Sequence, residues 1–101
     1  FIHLVTLEKE LEKVTNGCQC IIYPHPQNGL DLVCITDSEK ISVDKKALME
    51  WNDEHERHEK LTRLAYITRA DFNTFIKQYN KLNRRKLVVD LKEQMRPLYE
   101  K

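Results

Sequence analysis

Histidines and cysteines are the first residues to weigh, because few others ligate a metal or act as nucleophiles. His55-Glu56-Arg57-His58-Glu59 places two imidazoles three residues apart. On a helix they would share a face, and Glu54 or Glu59 would complete a zinc site. The zinc-protease pattern needs its histidines four apart with a glutamate between them, so a solvated, charge-rich face is the stronger reading. Cys18 and Cys20 point to one side of a strand and Cys34 lies on the next strand, enough for three thiolates. Free cysteines more commonly serve as small buried hydrophobes. Neither a Cys-x-x-Cys spacing nor a partnered basic residue marks a reactive thiol. No nucleophile elbow or Ser/His/Asp arrangement is recognisable, and 2 glycines are too few for a phosphate-cradling loop. The expectation is a non-enzyme with no cofactor and no metal.

The basic residues carry more. Lys77, Lys81, Arg84 and Arg85 recur at i, i+4, i+7 and i+8, and Lys86 extends the stripe. Lys60, Arg63 and Arg69 bracket the preceding strand. This density suits phosphate contacts that release counterions without reading sequence. Tyr66, on a half-exposed sheet face, would add stacking against a base. A solvated helix face would show the same stripe, but no acidic residue falls between Asp71 and Asp90, which favours binding. Lys60, Arg63, Tyr66, Arg69, Arg84, Arg85 and Lys86 are therefore the candidate RNA-binding residues. The net charge of +1 conceals two unlike halves: residues 1–59 hold 6 Lys/Arg against 12 Asp/Glu, and residues 60–101 hold 11 against 4. Such asymmetry points to a polyanion partner, to a complementary protein surface, or to halves that pair within the fold.

With 101 residues, 41% hydrophobic and 33% charged, the chain fits one domain, 1–101. Flexible linkers and low-complexity tracts are nearly excluded. No apolar run approaches the ~18 residues that span a bilayer, and no signal-peptide pattern opens the chain. Phe1 in place of Met suggests an excised domain with flanking segments. An odd set of 3 cysteines argues against a disulfide scaffold and for a reducing cytosolic or nuclear setting, of which the cytoplasm is the expectation.

Leu4, Leu7, Leu11 and Val14 form the apolar stripe of a first helix, stopped at Asn16-Gly17. Cys18 to Tyr23 reads as a strand, Asn28-Gly29 as a hairpin turn and Leu30 to Thr36 as the return strand. Lys40 to Val43 suggests a short third strand. Asp44 can cap a charged helix reaching residue 58, with Leu48 and Trp51 as its thin apolar face; segment 38–60 reads as a charged insertion. Leu61 to Thr68 is a strand, and Thr68-Arg-Ala-Asp71 resembles a capping box. Phe72, Phe75, Ile76, Tyr79 and Leu82 line a final helix running towards Met95. The predicted fold class is α+β: a small antiparallel sheet with helices packed on one face, αβββα-like with an inserted charged helix. An exposed sheet edge would seat a partner strand.

Asn73-x-Phe75-x-x-x-Tyr79-x-x-Leu82-x-Arg84, directly after LAYIT, resembles the last helix of the larger Alu-domain subunit of the signal recognition particle. The opening helix ending at Gly17 is similar to that subunit's first helix. Tyr23-Pro-His-Pro-Gln-Asn-Gly29 with LDLVCITD is more similar to the smaller, homologous subunit. The likeness spans about two-thirds of the chain; it departs over 38–60 and lacks the larger subunit's basic loop and tail. It implies a ribonucleoprotein subunit linked to translation and protein targeting. Such a subunit pairs with a like-folded partner, or with itself as a dimer, so that a concave sheet surface binds structured, Alu-like RNA. Arg63, Tyr66 and Arg69 would then lie near RNA, Phe75, Tyr79 and Leu82 would pack, and Arg84, Arg85 and Lys86 would touch RNA or sit beside it. The alternative is a protein–protein module docking through charge-complementary surfaces without nucleic acid.

Overall fold

The computed structural model describes residues 4–24, 29–37, 43–56 and 59–99. Helix α1 (Leu4–Val14) leads into strands β1 (Gln19–Pro24) and β2 (Leu30–Thr36). Helix α2 (Lys45–Asp53) crosses to β3 (Leu61–Thr68), followed by α3 (Arg69–Tyr79) and α4 (Arg84–Asp90). A 3-10 turn (Lys92–Gln94) then leads to β4 (Arg96–Pro97). The α+β class stands.

The sheet is mixed, in order β1-β2-β3-β4. Strands β1 and β2 form the expected antiparallel hairpin, with Gly29 at φ +87°. A Cβ there would meet Thr62 Cγ2 at 2.5 Å, so the turn requires glycine on two counts. Asn28 and residues 40–42 of the expected Lys40–Val43 strand lie outside the described residues, and Val43 belongs to no strand. Strand β3 runs parallel to β2, which corrects the all-antiparallel expectation. The connection through α2 carries the chain back to the starting end of β2, and a strand that restarts there must run parallel.

Helices cover both sheet faces, not one. Strand alternation sends Cys20, Ile22, Leu32, Cys34 and Leu64 to one side, where Leu7 and Leu11 of α1 and Leu48 and Trp51 of α2 bury them. It sends Ile21, Val33, Ile35 and Ala65 to the other, against Phe72 and Phe75 of α3 and Leu87 and Val88 of α4. Both faces of β2 are apolar, and every residue of the strand is buried, the pattern of a central strand enclosed on both sides. The 38–60 segment supplies Val43, Leu48 and Trp51 to the first of these cores.

The expected long terminal helix is two helices. Asn80 adopts the left-handed conformation (φ 62°) that ends α3, and the Asn83 side chain accepts from Lys86 N at 3.1 Å to start α4. Asparagine tolerates the left-handed region and caps helix starts, so two asparagines within four positions divide what the apolar stripe joins. Other caps follow expectation. Asp44 accepts from Lys46 N at 2.9 Å and Thr68 from Asp71 N at 3.2 Å. Helix α1 closes with Gly17 N donating to Glu12 O at 2.7 Å across left-handed Asn16, a Schellman closure.

Candidate nucleic-acid interface

Half of the expected RNA-binding cations are engaged inside the protein. Arg63 donates through Nε and Nη2 to the two carboxylate oxygens of Asp31, each at 2.7 Å. These bonds hold its guanidinium above its ordinary pKa. Arg84 grips Glu8 in the same two-pronged way, at 3.1 and 2.8 Å. Arg69 Nη1 donates to Gln19 Oε1 at 2.7 Å. Tyr66 packs with the α1/α2 core, and its hydroxyl accepts from Val43 N at 3.1 Å. It thus lies on the opposite sheet face from Arg63. Lys60 is half-buried ahead of β3, while Arg85 and Lys86 are exposed. The seven candidates do not form one cluster on an open sheet, because no face of this sheet is open.

Glu8 has a second task. Ile22 N donates to its Oε2 at 2.9 Å, so the amide that would invite a partner strand at the β1 edge is occupied. Glu8 stands on one helical layer and Arg84 on the other, so their pair straps the edge from both sides. On the far side the two-residue β4, Arg96 and Pro97, pairs with Arg63 and Leu64, and Ala65–Thr68 of β3 continue that edge beyond it; a charge with a proline discourages strand addition at β4 itself.

The exposed cations without partners among the described residues fall mostly on one layer, with Lys9, Lys13 and Lys46 on the opposite one. Among the described residues, Lys77, Lys81, Arg85, Lys86 and Lys92 are exposed and make no hydrogen bond or ion pair through their side chains. All belong to the layer built by residues 69–99, which holds 8 Lys/Arg against 3 Asp/Glu. The opposite layer reverses the sign, for residues 43–56 hold 2 against 5. The division between sequence halves is thus a division between the two sides of the sheet.

One concavity of about 260 Å³ opens on the basic side. Its floor is a row across the sheet, since Tyr23 is the register partner of Asp31 and Asp31 of Arg63. An extra residue in β3, Thr62, shifts the register there and turns Arg63 to the same face as Tyr23 and Asp31. Its wall is Arg85, Val88, Val89 and Lys92. Val89 is 58% exposed, a large apolar side chain left uncovered among cations. Sequence reading finds Arg63 and Arg85 but misses Tyr23, Val89 and Lys92. The signal for Val89 is the apolar run Leu87-Val88-Val89 directly after three cations, where the first two residues suffice for the core.

His55 stacks on Trp51 with ring centroids 3.7 Å apart. Its Nδ1 lies 2.7 Å from Trp51 O and its Nε2 3.4 Å from Glu10 Oε1; His58 lies outside the described residues. Cys20 and Cys34 are register partners and both are buried, while Cys18 is half-buried. Among the described residues no three His, Cys, Asp or Glu side chains group as metal ligands, and no helix is long and apolar enough to cross a membrane. No family model, curated protein or solved structure matches this chain.

Proposed function

We propose that this chain is a non-enzymatic RNA-binding module of a cytoplasmic ribonucleoprotein, holding phosphates on the layer formed by α3, α4 and the turn after them. The observation that carries this reading is the segregation of charge. Among the described residues, five exposed cations without partners share one side of the sheet, where 8 Lys/Arg face 3 Asp/Glu, while the other side carries an acidic excess around its free Lys9, Lys13 and Lys46. A surface of this kind attracts a phosphate backbone and orients the molecule on it, with the acidic layer turned away. Binding through helices replaces the sheet surface that the family resemblance implied. The acidic layer also favours a second reading, in which it docks a basic protein surface without nucleic acid.

Binding of a labelled unpaired RNA measured against salt concentration separates the two. For the triple variant Lys77→Ala, Lys81→Ala and Lys86→Ala, the slope of log affinity against log salt should fall by about 0.7 for each phosphate no longer neutralised. An unchanged slope, or no RNA binding at low salt, would overturn the RNA reading. Salt-sensitive binding of an arginine-rich peptide that disappears on neutralising Glu50, Asp53 and Glu54 would establish the second.

A further inference from the structure

We infer that the concavity between Tyr23 and Val89 is a nucleotide site, in which cations hold a phosphate while an aromatic and aliphatic wall receives the base. The inference deepens the RNA reading and, for its strand form, rests on it.

Arg63 is the fixed point. Its side chain is 32% exposed, whereas that of Asp31 is 2% exposed. A bidentate carboxylate therefore clamps the guanidinium from the buried side and leaves three of its five N–H donors unused. Such clamping lowers the conformational freedom lost when an anion binds. Arg85 and Lys92 stand across the concavity without partners among the described residues. With Asp31 neutralising one of the three cations, the site keeps an excess of positive charge, suited to a phosphate monoester or diester. A simple anion site would not need the rest of the lining. Tyr23, half-buried, and Val88 and Val89 give it an apolar side, and a base offers a flat face to such a surface. The volume, about 260 Å³, is just below the range of drug-sized pockets and matches the scale of one nucleotide. The same chemistry comes from a free mononucleotide or from one unstacked residue of an unpaired strand.

The test titrates the whole chain with uridine 5′-monophosphate, inorganic phosphate and an unpaired hexauridylate, read by calorimetry and by NMR shifts of the α4 amides. Two variants probe the site from exposed positions that leave the core intact: Arg85→Ala with Lys92→Ala, and Val89→Glu. Lys9→Ala with Lys13→Ala, on the opposite layer, is the control. Both variants should weaken mononucleotide and hexamer at least about tenfold, the control less than about twofold. If phosphate binds as tightly as the mononucleotide and Val89→Glu changes nothing, the base-binding wall is refuted and with it the inference. If the hexamer binds through Lys77, Lys81 and Lys86 but ignores both site variants, the inference falls and the RNA reading stands. If the mononucleotide binds and the hexamer does not, the site stands for the free nucleotide and the RNA reading falls. If none binds, both fall.

Discussion

Asp31 lies at 1% exposure in the central strand, and the guanidinium beside it holds both of its carboxylate oxygens. A buried pair of this kind adds little net stability, but stranding one member costs several kcal/mol. Arg63→Ala should therefore lower the unfolding free energy by about 3 kcal/mol in urea, whereas the double replacement Asp31→Leu with Arg63→Met should come near neutral. The cysteines give a second residue-level outcome. Native protein should expose one thiol to an aromatic disulfide reagent, Cys18, and denatured protein three. Burial first, then Cys20 and Asp37, raise the Cys18 pKa. At a given pH less thiolate is present, so its alkylation should be slower than a free thiol's and should accelerate at higher pH. Arg63 is legible in the sequence as a cation in a strand. Its partner is not, because a parallel register between residues 32 positions apart leaves no local mark in the chain.

Besides Leu48 and Trp51, helix α2 turns a buried polar side chain to the sheet. Asn52 is fully buried, with Nδ2 donating to Leu61 O at 2.9 Å and Oδ1 accepting from Leu61 N at 2.7 Å. It satisfies both backbone groups of the residue that opens β3, so it fixes where the parallel strand begins. Asn52→Ala and Asn52→Leu should each cost about 2 kcal/mol or more, because the leucine restores volume but leaves the amide and carbonyl unpaired. Asn83→Ala should cost about 1 kcal/mol by uncapping α4, and a melting series would rank the two. Element types are largely readable: α1, the hairpin, β3 and the caps at Asp44 and Thr68 all follow from local chemistry. The break at Asn80 is not, since the apolar spacing from Phe72 to Leu82 continues through it. The stripe of Lys77, Lys81, Arg84 and Arg85 is consequently spread over two helices and their connection rather than one face.

At the scale of the molecule, the alternation of β2 decides the architecture. Leu30, Leu32 and Cys34 make one apolar face, while Val33 and Ile35 on the other side call for a second helical layer. Once both faces are covered, basic residues gather on helices, and the acidic and basic segments are parted by the sheet and joined around its edge by Glu8 and Arg84. The Glu8–Arg84 strap then has a consequence for how the chain is made. Its two ends are 76 residues apart, so a chain emerging from its N-terminus completes β1 and β2 long before Arg84 exists. Over that interval Glu8 alone guards the Ile22 amide, and a nascent or truncated chain ending before α4 should associate through β1. Light scattering of a chain ending at Tyr79, compared with the full chain, should show that association. Glu8→Gln in the full chain should show a weaker form of it, because the amide keeps an acceptor for Ile22 but loses the ionic hold on α4.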